Sequence, residues 1–274
     1  MEVNITARKL VVPVLVGLAL VAGILVGRSS PAPAPARLDQ RAPFGFSKVV
    51  FLSHVNTRSM PIFPGDPKVR LRPIFTVPDD GFRLQLMRIG EHTGTHWGSP
   101  CHFNLGEPCA DELAARDFFL PAVVIDARRQ TRRNVDYALT VRALRRFEAR
   151  HGRIPKGAMV IMWTGFQGRW DKPKAYVNRK ADGLLHYPGI SKGATRWLMR
   201  QRDLRGLGID TLGVDPGIDE TFGTNTLLLR NHRIHLENLA HLGRMQPNGG
   251  WIVVGGVRNR RGSGSPATVY GLVP

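Results

Sequence analysis

Cysteine is scarce in this chain of 274 residues. There are two, Cys101 and Cys109, which excludes a cysteine-rich zinc module, and the length excludes a disulfide-stapled miniprotein. Acid is scarce as well. Twenty-one Asp and Glu stand against 39 Lys and Arg, for a formal charge of +18, and only eight of those cations are lysine. No glycine-rich loop with a lysine is present to cradle a phosphate, which argues against phosphoryl transfer. No internal repeat is visible. What is present is apolar: 42% of residues are hydrophobic and 22% charged, enough for a sizeable core and incompatible with global disorder. The length allows one large domain or two small ones. The excess of positive charge attracts nucleic acid, anionic membranes and acidic ligands alike, so by itself it selects none of them.

The longest apolar run lies at the start. Arg8 and Lys9 precede 18 uncharged residues, 10–27, and a Pro/Ala-rich linker follows. This order predicts a signal peptide or membrane anchor over residues 1–36, a further linker over 37–45, and a folded domain over 46–274. The expected location is outside the cytoplasm, released or anchored in the cytoplasmic membrane. Residues 1–36 contain Glu2, Arg8, Lys9 and Arg28, net +2, so +16 remains on the rest. That charge would hold the domain near an anionic membrane and favour, weakly, an anionic small-molecule substrate.

The remainder reads as a single α/β domain with a mixed sheet and flanking helices. Short apolar runs suited to buried strands occur at 48–52, 122–126, 159–163, 207–210 and 251–256. The segment 60–67 has three prolines and a glycine and reads as an ordered loop. One helix is expected from the cap Thr140 to Gly152, with Val141, Leu144 and Phe147 on its inner face. A second is expected from Ser191 to Gly206, burying Ala194, Trp197 and Leu198. Arg142, Arg145, Arg146 and Arg150 decorate the first helix. No aromatic platform or groove-reading motif accompanies them, so a solvated face is expected and a nucleic-acid partner is not.

Three of the nine histidines fall within eleven positions: His92, His96 and His102. Gly94, Gly98 and Pro100 lie among them and argue against a regular helix. A straight strand would set residues four apart at about 13 Å, whereas two nitrogens on one zinc lie within about 3–4 Å of each other. A curled loop, which the glycines permit, brings the imidazoles together. The residues alone point to a metal or catalytic site, with a set of satisfied polar loop histidines as the alternative.

This segment, HTGTHWGSPCH, closely resembles the H-x-G-T-H-x-D-x-P-x-H signature of the cyclase family, the group containing bacterial kynurenine formamidases and isatin hydrolase. LSHVNTRSMPIFPGDP, MVIMWTGF, YPGIS, GIDTLGVD and HLENLAHL follow the order of that family. The resemblance implies a domain of swivelling β/β/α type, a homo-oligomer, and metal-dependent hydrolysis. Residue by residue it implies metal ligands at His92, His96 and Glu237 and a catalytic general acid/base at His102. Phe63 stands where the formamidases place a substrate-stacking tryptophan, and a core role is its alternative.

Two positions depart from the pattern. Gly98 replaces a metal-bridging aspartate, and Asn225 replaces a further histidine ligand. One divalent ion is therefore expected rather than two, zinc first and manganese second. If Glu237 lies on a strand, His235 points the same way and is a candidate substitute ligand. Asp210 and Asp215 are candidate ligands too, with capping and turn roles the better account. Cys101 and Cys109 either pair as a disulfide or leave a free thiol beside the active loop. The expected chemistry is hydrolysis of a formamide, amide or cyclic amide. The alternatives are a lactone hydrolase and a non-catalytic binding protein.

Overall fold

The apolar runs at 122–126, 159–163 and 207–210 become adjacent parallel strands at the centre of a nine-stranded sheet. A computed structural model describes residues 45–274; the apolar run at 10–27, the Pro/Ala linker and the expected boundary at 36 lie outside the described residues. Among the described residues, no helix is long and apolar enough to cross a membrane. The strand order is Lys48–Phe51, Val269–Val273, Gly250–Val254, Phe119–Asp126, Met159–Trp163, Gly206–Ile209, Ile234–Glu237, His96–Gly98 and Gly264–Pro266. The four strands from Phe119–Asp126 to Ile234–Glu237 run parallel, and the flanking pairs are antiparallel. The sheet is therefore mixed, as expected.

The central strands are apolar at almost every position because both of their faces are covered. Val123, Ile125, Val160, Met162, Leu207 and Ile209 enter one core, with Leu144, Phe147, Ala194 and Leu198 of the flanking helices. Their alternate neighbours Ala122, Val124, Met159 and Ile161 enter a second core with Trp97, Ile234, Leu236 and Ile252. A third cluster, around Met60, Trp170, Tyr176 and Tyr187, lies under the loop at 60–67.

Both helices start where their caps predict. The Thr140 and Ser191 side chains accept from the backbone N–H of Ala143 and Ala194, and the helices are Val141–His151 and Lys192–Arg202. The second stops earlier than Gly206. Asp203 takes a left-handed conformation with φ 49°, and the buried Leu204 turns the chain back so that Gly206 opens the next strand. Trp197 is only half-buried, with the Arg202 guanidinium 4.4 Å over its ring. The strand at 48–52 also differs from expectation. It lies at the sheet edge with Val49 52% and Phe51 60% exposed, because a single neighbour pairs with it and only Val50 and Leu52 turn to the core.

Candidate metal centre

Strand alternation sets the site. On Ile234–Glu237, Ile234 and Leu236 enter the second core, so His235 and Glu237 project from the opposite face. On the antiparallel neighbour His96–Gly98, Trp97 enters the same core, so His96 and Gly98 share a face with them. The register places His235 opposite Gly98 and Glu237 opposite His96. His92 arrives from the turn just before this strand, and His102 from the 3-10 turn Pro100–His102 just after it. The expected curled loop thus holds a three-residue strand at its centre. The curl on either side, not the strand, gathers the imidazoles.

One nitrogen of each of His92, His96 and His235 lies within 4.8 Å of the other two. Three ring nitrogens, Nδ1 of His92 and Nε2 of His96 and of His235, are buried with no hydrogen-bond partner. In each ring the other nitrogen is held. His92 Nε2 donates to Ser263 Oγ at 2.8 Å, whose hydroxyl donates to Glu91 Oε2 at 2.9 Å. His96 Nδ1 donates to Gly94 O at 2.9 Å, and His235 Nδ1 donates to Asn225 Oδ1 at 2.7 Å. Each unpartnered nitrogen therefore presents a lone pair, the arrangement that outer partners impose on metal-binding imidazoles. His96 Nε2 also faces Glu237 Oε2 at 3.2 Å. Two such atoms without a proton repel unless a cation lies near both. Orphaned lone pairs, burial and a facing carboxylate together fit a divalent metal ion.

The site lines a cavity of 260 Å³ whose walls include Phe63, Phe103, Phe222 and Tyr187. Among the described residues, no lysine or arginine lines it. His102 lies flat on His92, with ring centroids 3.7 Å apart and planes at 14°. Phe63 lines the cavity and also packs against the third apolar cluster. Cys101 and Cys109 form a disulfide that closes the short loop beginning beside His102.

Burial favours the neutral form of His92, His102 and His235, the form that binds metal. Burial lowers His92 strongly, and the rings of His96, His102 and His235 lower it further. Burial brings His235 to about 3 and also lowers His102. Burial disfavours the Glu237 anion, but positive charge at the His235 and His96 positions and the Val214 N–H favour it more and bring its carboxyl to about 2; with the rings neutral, a bound cation would supply that charge.

The two aspartates have backbone work. Asp210 accepts from the N–H groups of Thr164, Gly165 and Gln167. Asp215 caps the helix Gly223–Leu228 through Thr224 N–H and Asn225 N–H, at 2.5 and 3.0 Å, while burial raises its carboxyl to about 6. The sequence reading missed Ser263 and Glu91. Glu91 adjoins His92 and was a visible neighbour, but Ser263 comes from the bend before the strand Gly264–Pro266, 171 residues away, and carries no signal.

Fold and site together define a mixed α/β domain that gathers three histidines in an arrangement that fits a metal ion. Residues 50–216 match the family model described as putative cyclase, and the chain belongs to that family. It is similar to the isatin hydrolase of Roseibium aggregatum, at 30% identity over 218 residues that span 76% of this chain and 82% of the relative. The structure of isatin hydrolase A from Ralstonia solanacearum matches with a TM-score of 0.77 at 32% identity, covering 83% of this chain and 92% of that one. The kynurenine formamidase of Bordetella petrii is 26% identical over 180 residues, 65% of this chain and 76% of its own. The chain is thus related to metal-dependent hydrolases.

Proposed function

We propose that the protein hydrolyses a carbon–nitrogen bond in a small planar amide, a cyclic amide first and a formamide second, on a fold of swivelling β/β/α type. The observation that carries this reading is the convergence of three unpartnered, buried imidazole nitrogens on the cavity that also holds His102. His92 and His96 hold the ion together with a donor from the strand Ile234–Glu237, where His235 and Glu237 both face the cavity. The ion is zinc, with manganese second. When bound, it supplies an acidified water and polarises the substrate carbonyl.

The chain's own residues do the rest. His102 takes a proton from the attacking water and returns it to the leaving nitrogen, so the C–N bond breaks as the C–O bond forms and no proton is lost. Its stacking on His92 fixes where that proton can be delivered. Phe63, Phe103 and Phe222 offer aromatic walls to a flat ring and exclude water from it. Isatin, the substrate named by the relatives, is a flat fused-ring cyclic amide, and the 260 Å³ cavity suits a ligand of that class. With no cation among the described cavity residues, an anionic substrate would be drawn only by the long-range field of the chain.

A panel of cyclic amides, formamides, lactones and phosphate esters, assayed with chelator and with added zinc or manganese, tests the reading. Turnover of amides that chelator removes and metal restores supports it. Turnover of phosphate esters alone, or no turnover at all, rejects it.

A further inference from the structure

We infer that His235 is a metal ligand, taking the place a side chain at position 98 would otherwise fill, and that Gly98 and Asn225 are the two residues that fit it there. The inference rests on the metal-dependent reading above and specifies its ligand set.

The first observation is steric. His235 and Gly98 are directly opposed across the antiparallel pair, on the face turned away from the core. A Cβ at position 98 would lie 2.7 Å from His235 Cε1, 2.8 Å from Cδ2 and closer still to Nε2. Real Cβ atoms essentially never show such contacts, so a side chain at position 98 would push the ring off this strand. Only glycine lets the imidazole lie over this strand. The absent bridging carboxylate and the present imidazole are thus one arrangement and not two accidents.

The second observation is the tautomer. The Asn225 carboxamide oxygen can only accept, so His235 Nδ1 carries the proton and Nε2 presents its lone pair to the cavity. Asn225 is itself fixed, since its backbone N–H donates to Asp215 at the head of its helix. A residue that looks like a lost ligand therefore orients the ligand that replaces it. Glu237 is placed differently: Val214 N–H binds its Oε1 at 2.8 Å, and its Oε2 meets the site only beside His96. It stands as the neighbouring anion, and three neutral imidazoles make up the mutually close donor set. Such a nitrogen-only set favours zinc over manganese, which prefers carboxylate and water.

The experiment uses the full chain, stripped by chelator and titrated with zinc alone, then with manganese alone. X-ray absorption at the zinc edge of the wild-type protein should show three imidazole nitrogens at about 2.0–2.1 Å. His235→Ala should weaken zinc binding by more than the about 10–100-fold that loss of an outer partner costs, and Asn225→Leu by about that amount. Asn225→Asp keeps the acceptor and should restore most of the loss. Glu237→Gln should keep one zinc per chain, and zinc should outcompete manganese. Two imidazoles at the zinc edge, or a His235→Ala protein that folds and binds zinc as tightly as wild type, would overturn the inference and leave the metal reading standing. A wild-type chain that binds no zinc would overturn both.

Discussion

The His102 ring lies parallel to His92, 3.7 Å away, although both belong to one short segment and only His92 joins the cluster of unpartnered nitrogens. Stacking couples the two rings in space while leaving them different work. On the proposed reading, His92 and His96 would hold the ion and His102 would move the proton.

That division predicts distinct outcomes. His92→Ala and His96→Ala should abolish metal binding. His102→Ala should keep one ion per chain and lose about 10²–10⁴ in turnover, the usual contribution of a positioned acid/base. Elemental analysis beside steady-state kinetics checks this, and a His102→Ala protein that loses metal as readily as the others would refute the division.

The central strands and the helix starts were legible in the sequence because they follow local rules. Runs such as AVVID and MVIMW are apolar at successive positions because both sheet faces are covered, and Thr140 and Ser191 cap as their chemistry dictates. The edge position of 48–52 was not legible, since an apolar run does not reveal whether a neighbour covers it. Within the site, His92, His96 and His102 stood out by density. The pairing of His235 with Gly98 joins residues far apart in sequence, and only the register of the antiparallel pair makes it visible.

The disulfide between Cys101 and Cys109 anchors the segment that carries His102. Replacing both cysteines by serine should lower stability by about 2–3 kcal/mol. Turnover should fall while metal content stays at one ion per chain. Thermal melting and kinetics on the double variant check this; unchanged turnover would mean that the loop holds His102 without the bridge.

His186 carries a pH-dependent share of stability. Its Nδ1 contacts both oxygens of Asp136 at 2.9–3.0 Å and its Nε2 contacts Asp182 at 3.0 Å, so both nitrogens donate and the ring is a cation. The hydrogen bonds to Asp136 and then Asp182 raise its pKa above the ordinary 6.5. A raised histidine stabilises fully below its unfolded value, and that contribution is lost as pH rises through the folded value. Denaturant unfolding from about pH 5 to 9 should therefore show wild type losing its advantage over His186→Gln above about 6.5. An advantage that grows with pH would contradict the assignment.

Export is the expectation for residues 1–36. Residues 1–40 fused to a reporter should carry it out of the cytoplasm, because a charged start followed by an apolar run has the order of a secretion signal or anchor. Reporter activity confined to the cytoplasm would reject it.

Metal-dependent cleavage of a cyclic amide is the central proposal. The deciding measurement is the rate of ring opening of isatin by the purified chain, stripped with chelator and then reloaded with zinc to one equivalent. Stripping should remove turnover, and one equivalent of zinc should restore it in full. Ring opening that survives complete removal of metal would contradict the proposal.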